Sequence, residues 1–331
     1  MAALRGYLPG LAFLVAVGSL AQFLGTLTPV HSLLAAILLG ALVANTVGVP
    51  EIFRPGAGTY NLWLEVGIVL MGVRISLGSV LGAGPALVLA VVGAVALSLA
   101  VVELLARGVF GLSGRLGSLL AAGASVCGVS AVVAVAGAIR ADENQVAYAT
   151  STILAFDALT LFTYPALGHL LGLPDRIFGI WAGLTMFSTG PVTAAGFAHS
   201  DLAGEWATLT KLTRNALLGG LVVGYSLLYA ETKSSSGGWK TSVRDLWNGF
   251  PKFVLGFVSL VLLASTGVLG DAEIARLTLA SDWAFLVAFA GLGTSIEVRA
   301  LRGTGVRPLA LVGVALLVVS AVALAVVRIA F

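Results

Sequence analysis

The chain has 331 residues, 59% hydrophobic and 10% charged, against roughly 45–50% and about 25% in soluble domains, an apolar surplus too large for one globular core. Its net charge of +3 calls for no nucleic-acid partner, because membrane proteins gather Lys and Arg in cytoplasmic loops in any case. A single cysteine, Cys127, excludes an intramolecular disulfide, a thiolate zinc cluster and a redox pair.

Mean hydropathy of +1.05 and 42 glycines complete the signature of an all-α polytopic membrane protein. An apolar helix of about 20 residues crosses a hydrocarbon core of roughly 30 Å. On that measure the chain offers eleven segments: 7–24, 30–47, 60–76, 84–109, 115–140, 145–172, 175–199, 202–230, 251–270, 282–297 and 307–330. The first has the length of a signal peptide, but a second apolar run follows at once with no small-residue cleavage site between them, so it counts as a span. The long polar connection, rich in Ser and Gly at 234–238, reads as a cytoplasmic loop over 231–250. It separates a first membrane half, 1–230, holding segments 115–140 and 175–199, from a second half, 251–331, within one integral membrane domain.

Lys and Arg set the orientation. With the N-terminus inside, eleven of them, among them Arg54, Arg107, Arg115, Lys252 and Arg307, fall on the cytoplasmic side, and Arg74, Arg276 and Arg328 fall outside. The expectation is a multi-pass protein of the plasma (inner) membrane, N-terminus cytoplasmic and C-terminus outside.

The chain also echoes itself. Ala44 and Thr46 recur as Ala264 and Thr266; Gly72, Ile75, Gly82 and Gly84 recur as Gly293, Ile296, Gly303 and Gly305; Gly137 and Asp142 recur as Gly196 and Asp201. Segments 2, 3 and 4 therefore match 9, 10 and 11, and segments 5 and 6 match 7 and 8, a circularly permuted duplication. Segments 2 and 9 are seven crossings apart and run oppositely, the inverted-repeat plan of secondary transporters. Segments 5 and 7 join that inversion only if they are re-entrant hairpins from opposite faces, so about nine to eleven transmembrane segments are expected, two of them broken or re-entrant.

Segment 5 reads GASVCGVSAVVAVAG and segment 7 reads GLTMFSTGPVTAAG. Gly and Pro cost helix interiors about 1 and 3 kcal/mol, which places the breaks at Gly128 and at Gly190-Pro191. Two half-helix N-termini would offer N–H groups to an anion, with hydroxyls completing the shell. The expected site is Ser125, Cys127, Gly128 and Ser130 with Ser188, Thr189, Gly190 and Thr193; the bland alternative is small-residue helix packing. Lys211 and Arg214, three apart on one helix face, and Asp157 lie deep in spans, where a charge costs about 2.5–3.5 kcal/mol on insertion scales. Asp157 is expected to pair with one of the two cations, leaving the other for the substrate, unless the pair only fixes helix register. Glu65, nearer a span end, is a second candidate coupling group. His31, His169 and His199 have no metal spacing, Cys127 has no local base, and no phosphate-binding or dinucleotide motif occurs, so neither an enzyme nor a resident cofactor is expected beyond a coupling sodium ion or proton.

The runs SVCGVSAVVAVAGAIRADENQVAYATSTI, IWAG, AAGFAHSDLAGEWATLTKLTRNALL and GLGTSIEVRALRGTGVRPL resemble the YeiH family of sulfate exporters over nearly the whole chain. The resemblance implies a fold similar to bile-acid sodium symporters and sodium/proton antiporters, with broken helices that cross rather than re-enter. Where many members have IHDTAQVVAAG, this chain has MFSTGPVTAAG, without His, Asp or Gln, and Asp157 stands where a small residue is expected. The function expected is secondary transport of a small anion across the lipid bilayer, sulfate or a related oxyanion or sulfonate. Two alternatives stay open: a sodium- or proton-coupled importer of a carboxylate or sulfonate, and a non-transporting receptor or scaffold. Glycine-rich spans allow a homodimer as readily as a tightly packed monomer.

Overall fold

In hydrocarbon every backbone N–H and C=O must be met within the chain, so apolar runs of this length fold as helices. The computed structural model describes residues 2–28, 31–75, 77–230, 252–296 and 305–331, and no strand occurs among them. The loop expected at 231–250 lies outside the described residues. In chain order the helices are α1 (Ala2–Leu27), α2 (Ser32–Thr46), the single-turn α3 (Arg54–Ala57), α4 (Tyr60–Met71), α5 (Leu77–Leu104), α6 (Gly114–Ser125), α7 (Val129–Ile139) and α8 (Glu143–Leu170). They continue as α9 (Asp175–Thr185), α10 (Thr189–His199), α11 (Asp201–Asn215), α12 (Leu218–Ala230), α13 (Phe253–Ser265), α14 (Asp271–Thr294) and α15 (Val306–Ala330). Among the described residues, five stretches are long and apolar enough to cross a membrane: Gly6–Leu27, Gly84–Val109, Glu143–Leu170, Asp271–Thr294 and Val306–Ala330. Each expected segment coincides with a helix or helix pair.

The chain divides into two compact units that interleave along the sequence. One gathers Met1–Gly84, Thr193–Glu205 and Lys252–Arg299; the other gathers Pro85–Val192, Trp206–Pro251 and Ala300–Phe331. In the first, α14 packs against α2 and α4, and α1 against α2, α3 and α14. The α2–α14 crossing brings backbones together: a Cβ on Gly40 would meet the Ala290 carbonyl, and one on Gly293 the Ile37 carbonyl, so only glycine fits at either position. Ser281 donates to Gly67 O at 2.8 Å across the α14–α4 contact. Arg74, just beyond α4, reaches Glu205 at 3.1 Å, Asp282 at 3.2 Å and Asp201 at 3.6 Å.

Segments 5 and 7 are hairpins, not the crossing helices that the resemblance implied. Ser113 caps α6, and its hydroxyl accepts from Gln145 Nε2 at 3.2 Å. Gln145 belongs to the capping box with Asp142 that opens α8, so the starts of α6 and α8 lie side by side. A continuous helix over 114–139 would hold those ends about 39 Å apart. Instead the chain turns back at 126–128, and a Cβ on Gly123 would lie 2.9 Å from both Val132 and Ile153. The second hairpin shows itself the same way. Arg176, at the start of α9, stacks 4.6 Å from the Trp206 ring near the start of α11, and Gly183 abuts Ala207 and Thr210 further along. Since α9 and α11 run side by side in one direction, the chain must turn back after α9. The 28 residues of α8, about 42 Å of helix, separate the two hairpin bases, which therefore open at opposite ends. Every repeat pair inferred from the sequence is then antiparallel.

Candidate functional site

The hairpin tips meet. At the first, Val126 leaves helical geometry (φ −120°, ψ −77°) and Gly128 takes φ 65°. That positive φ favours glycine, and a Cβ there would run into the Ser188 hydroxyl of the second tip. At the second, Met186 is extended (φ −70°, ψ 156°) and α10 restarts at Thr189. The break thus precedes Gly190-Pro191 instead of falling on it. Proline is tolerated in a helix's first turn, where its missing N–H would have no partner, and its ring excludes the carbonyl four residues back, here that of Phe187.

Each break leaves carbonyls at the end of one half-helix and N–H groups at the start of the next, and the two sets meet different fates. Lys211, fully buried on α11, donates to Val126 O at 2.7 Å, to Met186 O at 3.2 Å and to Phe187 O. Arg214, one turn on, donates to Ser125 O, Ala124 O, Met186 O at 2.7 Å and Gly183 O at 3.3 Å. The cations therefore seal the carbonyl ends of both α6 and α9, where helix dipoles are negative. Each carbonyl left bare at this depth would cost several kcal/mol.

The expected ion pair between Asp157 and a cation does not form; both cations hydrogen-bond main-chain carbonyls. All three Lys211 hydrogens point to main-chain oxygens. Asp157, 3% exposed on α8, instead accepts from Ser188 N at 2.9 Å through Oδ1 and so caps the start of α10. Its Oδ2 is buried and accepts from no protein donor.

On the N–H sides of the tips, Asp157 caps the second and no side chain caps the first. Ser130 is exposed, and Val129, Ser188 and Thr189 are half-buried, whereas Ser125, Cys127, Gly128 and Gly190 are buried. Gly128, the residue before α7, has no side chain to cap it. Asn215, which sequence reasoning did not single out, donates to Thr189 Oγ1 at 3.1 Å. Its signal was there: it follows Lys211 and Arg214 in KLTRN, at the end of α11, where α11 and α12 are themselves interrupted. The structure thus gathers Ser125, Cys127, Gly128, Ser130, Asp157, Ser188, Thr189, Gly190, Lys211 and Arg214 around two tips. Thr193, buried one turn into α10, and Glu65, exposed on α4, belong to the other compact unit. Among the described residues no group of His, Cys, Asp and Glu could hold a metal ion.

Paired re-entrant segments meeting tip to tip, set among crossing helices in an inverted repeat, define a polytopic helical membrane protein. The chain belongs to the family described as conserved hypothetical protein 698, which matches residues 9–312. It is 33% identical to a UPF0324 membrane protein of Nitratidesulfovibrio vulgaris over 314 residues, covering 91% of this chain and 87% of the relative. A UPF0324 membrane protein of Agrobacterium fabrum is 31% identical over 274 residues (82% and 77% covered), and one of Clostridium tetani is 27% identical over 318 (92% of each). No solved structure matches the chain.

Proposed function

We propose that the protein is a secondary transporter of a small anion, an oxyanion such as sulfate or a related sulfonate, bound at the N-terminal end of α7 beside the second hairpin tip. The observation that carries this is the asymmetry of the first tip: its carbonyl end is sealed by Lys211 and Arg214, while the start of α7 has no side-chain cap and Ser130 there is exposed. A helix N-terminus attracts anions through its free N–H groups and its dipole. Lys211 and Arg214 outnumber the one carboxylate, Asp157, in dry surroundings that screen charge poorly. Ser130, Ser188 and Thr189 supply hydroxyls beside those N–H groups. Hairpins open at opposite ends suit alternating exposure of the tips to the two faces.

The resemblance to sulfate exporters favours sulfate as the first anion to try. The positive-inside count places the N-terminus in the cytoplasm of a plasma-membrane protein and the C-terminus outside. Saturable flux of radiolabelled sulfate into proteoliposomes, with sulfite, taurine and bicarbonate as competitors, tests the proposal. Purified protein that neither binds nor moves any of these anions belongs instead to a receptor or scaffold class.

A further inference from the structure

Resting on the anion reading above, we infer that Asp157 is a proton-binding site that loads together with the anion, so that the protein carries the two in the same direction. Asp157 divides its carboxylate between two tasks. Oδ1 accepts from Ser188 N at 2.9 Å and holds the start of α10 in place. Oδ2 is sealed from solvent and no donor meets it in hydrogen-bond geometry, although the Ser188 hydroxyl also lies against the carboxylate at the tip contact. A buried carboxylate oxygen without a donor is costly, and such a group at membrane depth commonly marks a proton or ion path.

The neighbours decide which ligand completes it. Lys211 and Arg214 face Asp157 from α11, Ser188 faces it from the second hairpin, and Cys127 on the first tip lies beside both cations. α15 packs on α8 through Gly313 against Phe156, and its ionisable residues among those described, Arg307 and Arg328, stand at its two ends. α6 and α7 bring only Arg115 and Arg140, both at the hairpin base. A metal cation would need roughly six oxygen ligands. The carbonyls of Ala124, Ser125, Val126, Met186 and Phe187 are already spent on Lys211 and Arg214, and those two charges repel a third. A proton needs only Oδ2. Loading forms an O–H bond there with a proton given up by hydronium at one face, and unloading returns it to water at the other; no electrons move and Oδ1 keeps its hydrogen bond.

Protonation removes the one carboxylate charge at the tips. An anion at the α7 N-terminus is then bound more tightly, and by reciprocity a bound anion favours the proton. Anion affinity should therefore rise as pH falls, by up to about tenfold per pH unit, the limit for one linked proton. Sulfate is a suitable probe because it remains a dianion across the range tested.

The test measures sulfate flux into proteoliposomes between about pH 5.5 and 7.5, with and without an inward proton gradient, for wild type and Asp157→Asn. Asparagine keeps the acceptor for Ser188 N and cannot take up a proton. The expected result is wild-type flux that climbs with acidity and with the gradient, while D157N, whatever its absolute rate, varies less than about twofold. Should D157N fail to fold, proton uptake on adding sulfate to wild-type protein in weakly buffered detergent gives the same information, with about one proton expected per anion bound. Wild-type flux that is flat with pH, or that follows sodium instead, overturns proton coupling and leaves the anion site standing. Absence of any anion binding or flux overturns both.

Discussion

Gly128, Lys211 and Ser113 illustrate how single residues set the geometry. Gly128 answers two demands at once, a positive φ and a surface flush against Ser188. Gly128→Ala should destabilise the protein by about 1–3 kcal/mol, seen as a lower Tm in detergent, since strain and collision add. Lys211 has no neutral substitute: Lys211→Met would leave the Val126, Met186 and Phe187 carbonyls buried and bare. A loss of about 3–5 kcal/mol in thermal unfolding is expected, whether or not an anion is present. Were Lys211 chiefly a substrate ligand, the methionine variant would instead keep its Tm and lose only anion binding. The sequence showed Lys211, Arg214 and Asp157 to be deep and close, because charges in apolar runs stand out. It could not show their partners, because backbone carbonyls have no letter in a sequence. A charge-pairing argument therefore joined Asp157 to a cation, when each had found main chain.

At the level of elements, the apolar runs and their polar bounds were legible, and so was the first break, since a glycine inside SVCGVS has few other uses. The second break was misplaced because Pro191 was taken as the interruption when it is the first turn of the helix that follows. Whether segments 5 and 7 cross or re-enter was undecidable from hydropathy: both forms are equally apolar. The Ser113–Gln145 hydrogen bond and the Arg176–Trp206 stack decide it, and both join residues about 30 positions apart in sequence. In a Cys127→Ser background, single cysteines replacing the exposed Arg115 and Glu143 should therefore react with an impermeant maleimide from the same face, and one replacing Leu171 from the other. Labelling of positions 115 and 143 from opposite faces would mean that segment 5 crosses.

For the whole molecule, each compact unit is assembled from three separate stretches of the chain. Circular permutation pairs the α2–α4–α5 stretch with α13–α14–α15 and nests the two hairpins between them, so sequence neighbours are divided between units. The glycine echoes at offsets of about 220 carried that plan, but partition into units depends on packing that the echoes do not encode. The two tips are no longer equivalent: the second hairpin's N-terminus holds Asp157, while the first has only Gly128. The N-terminus of α7, without a side-chain cap, is where the proposed anion binds.

Sulfate flux in proteoliposomes containing Ser130→Asp, set beside Ser130→Ala and wild type, tests this most directly. A carboxylate at the exposed first turn of α7 suits the helix and fills the anion's place, so flux should fall more than tenfold, a loss above about 1.4 kcal/mol, with Tm unchanged or raised. Removing the hydroxyl alone should cost about fivefold, the worth of one hydrogen bond near 1 kcal/mol. Wild-type flux from the aspartate variant would contradict the account, because no anion could then be using the α7 N-terminus.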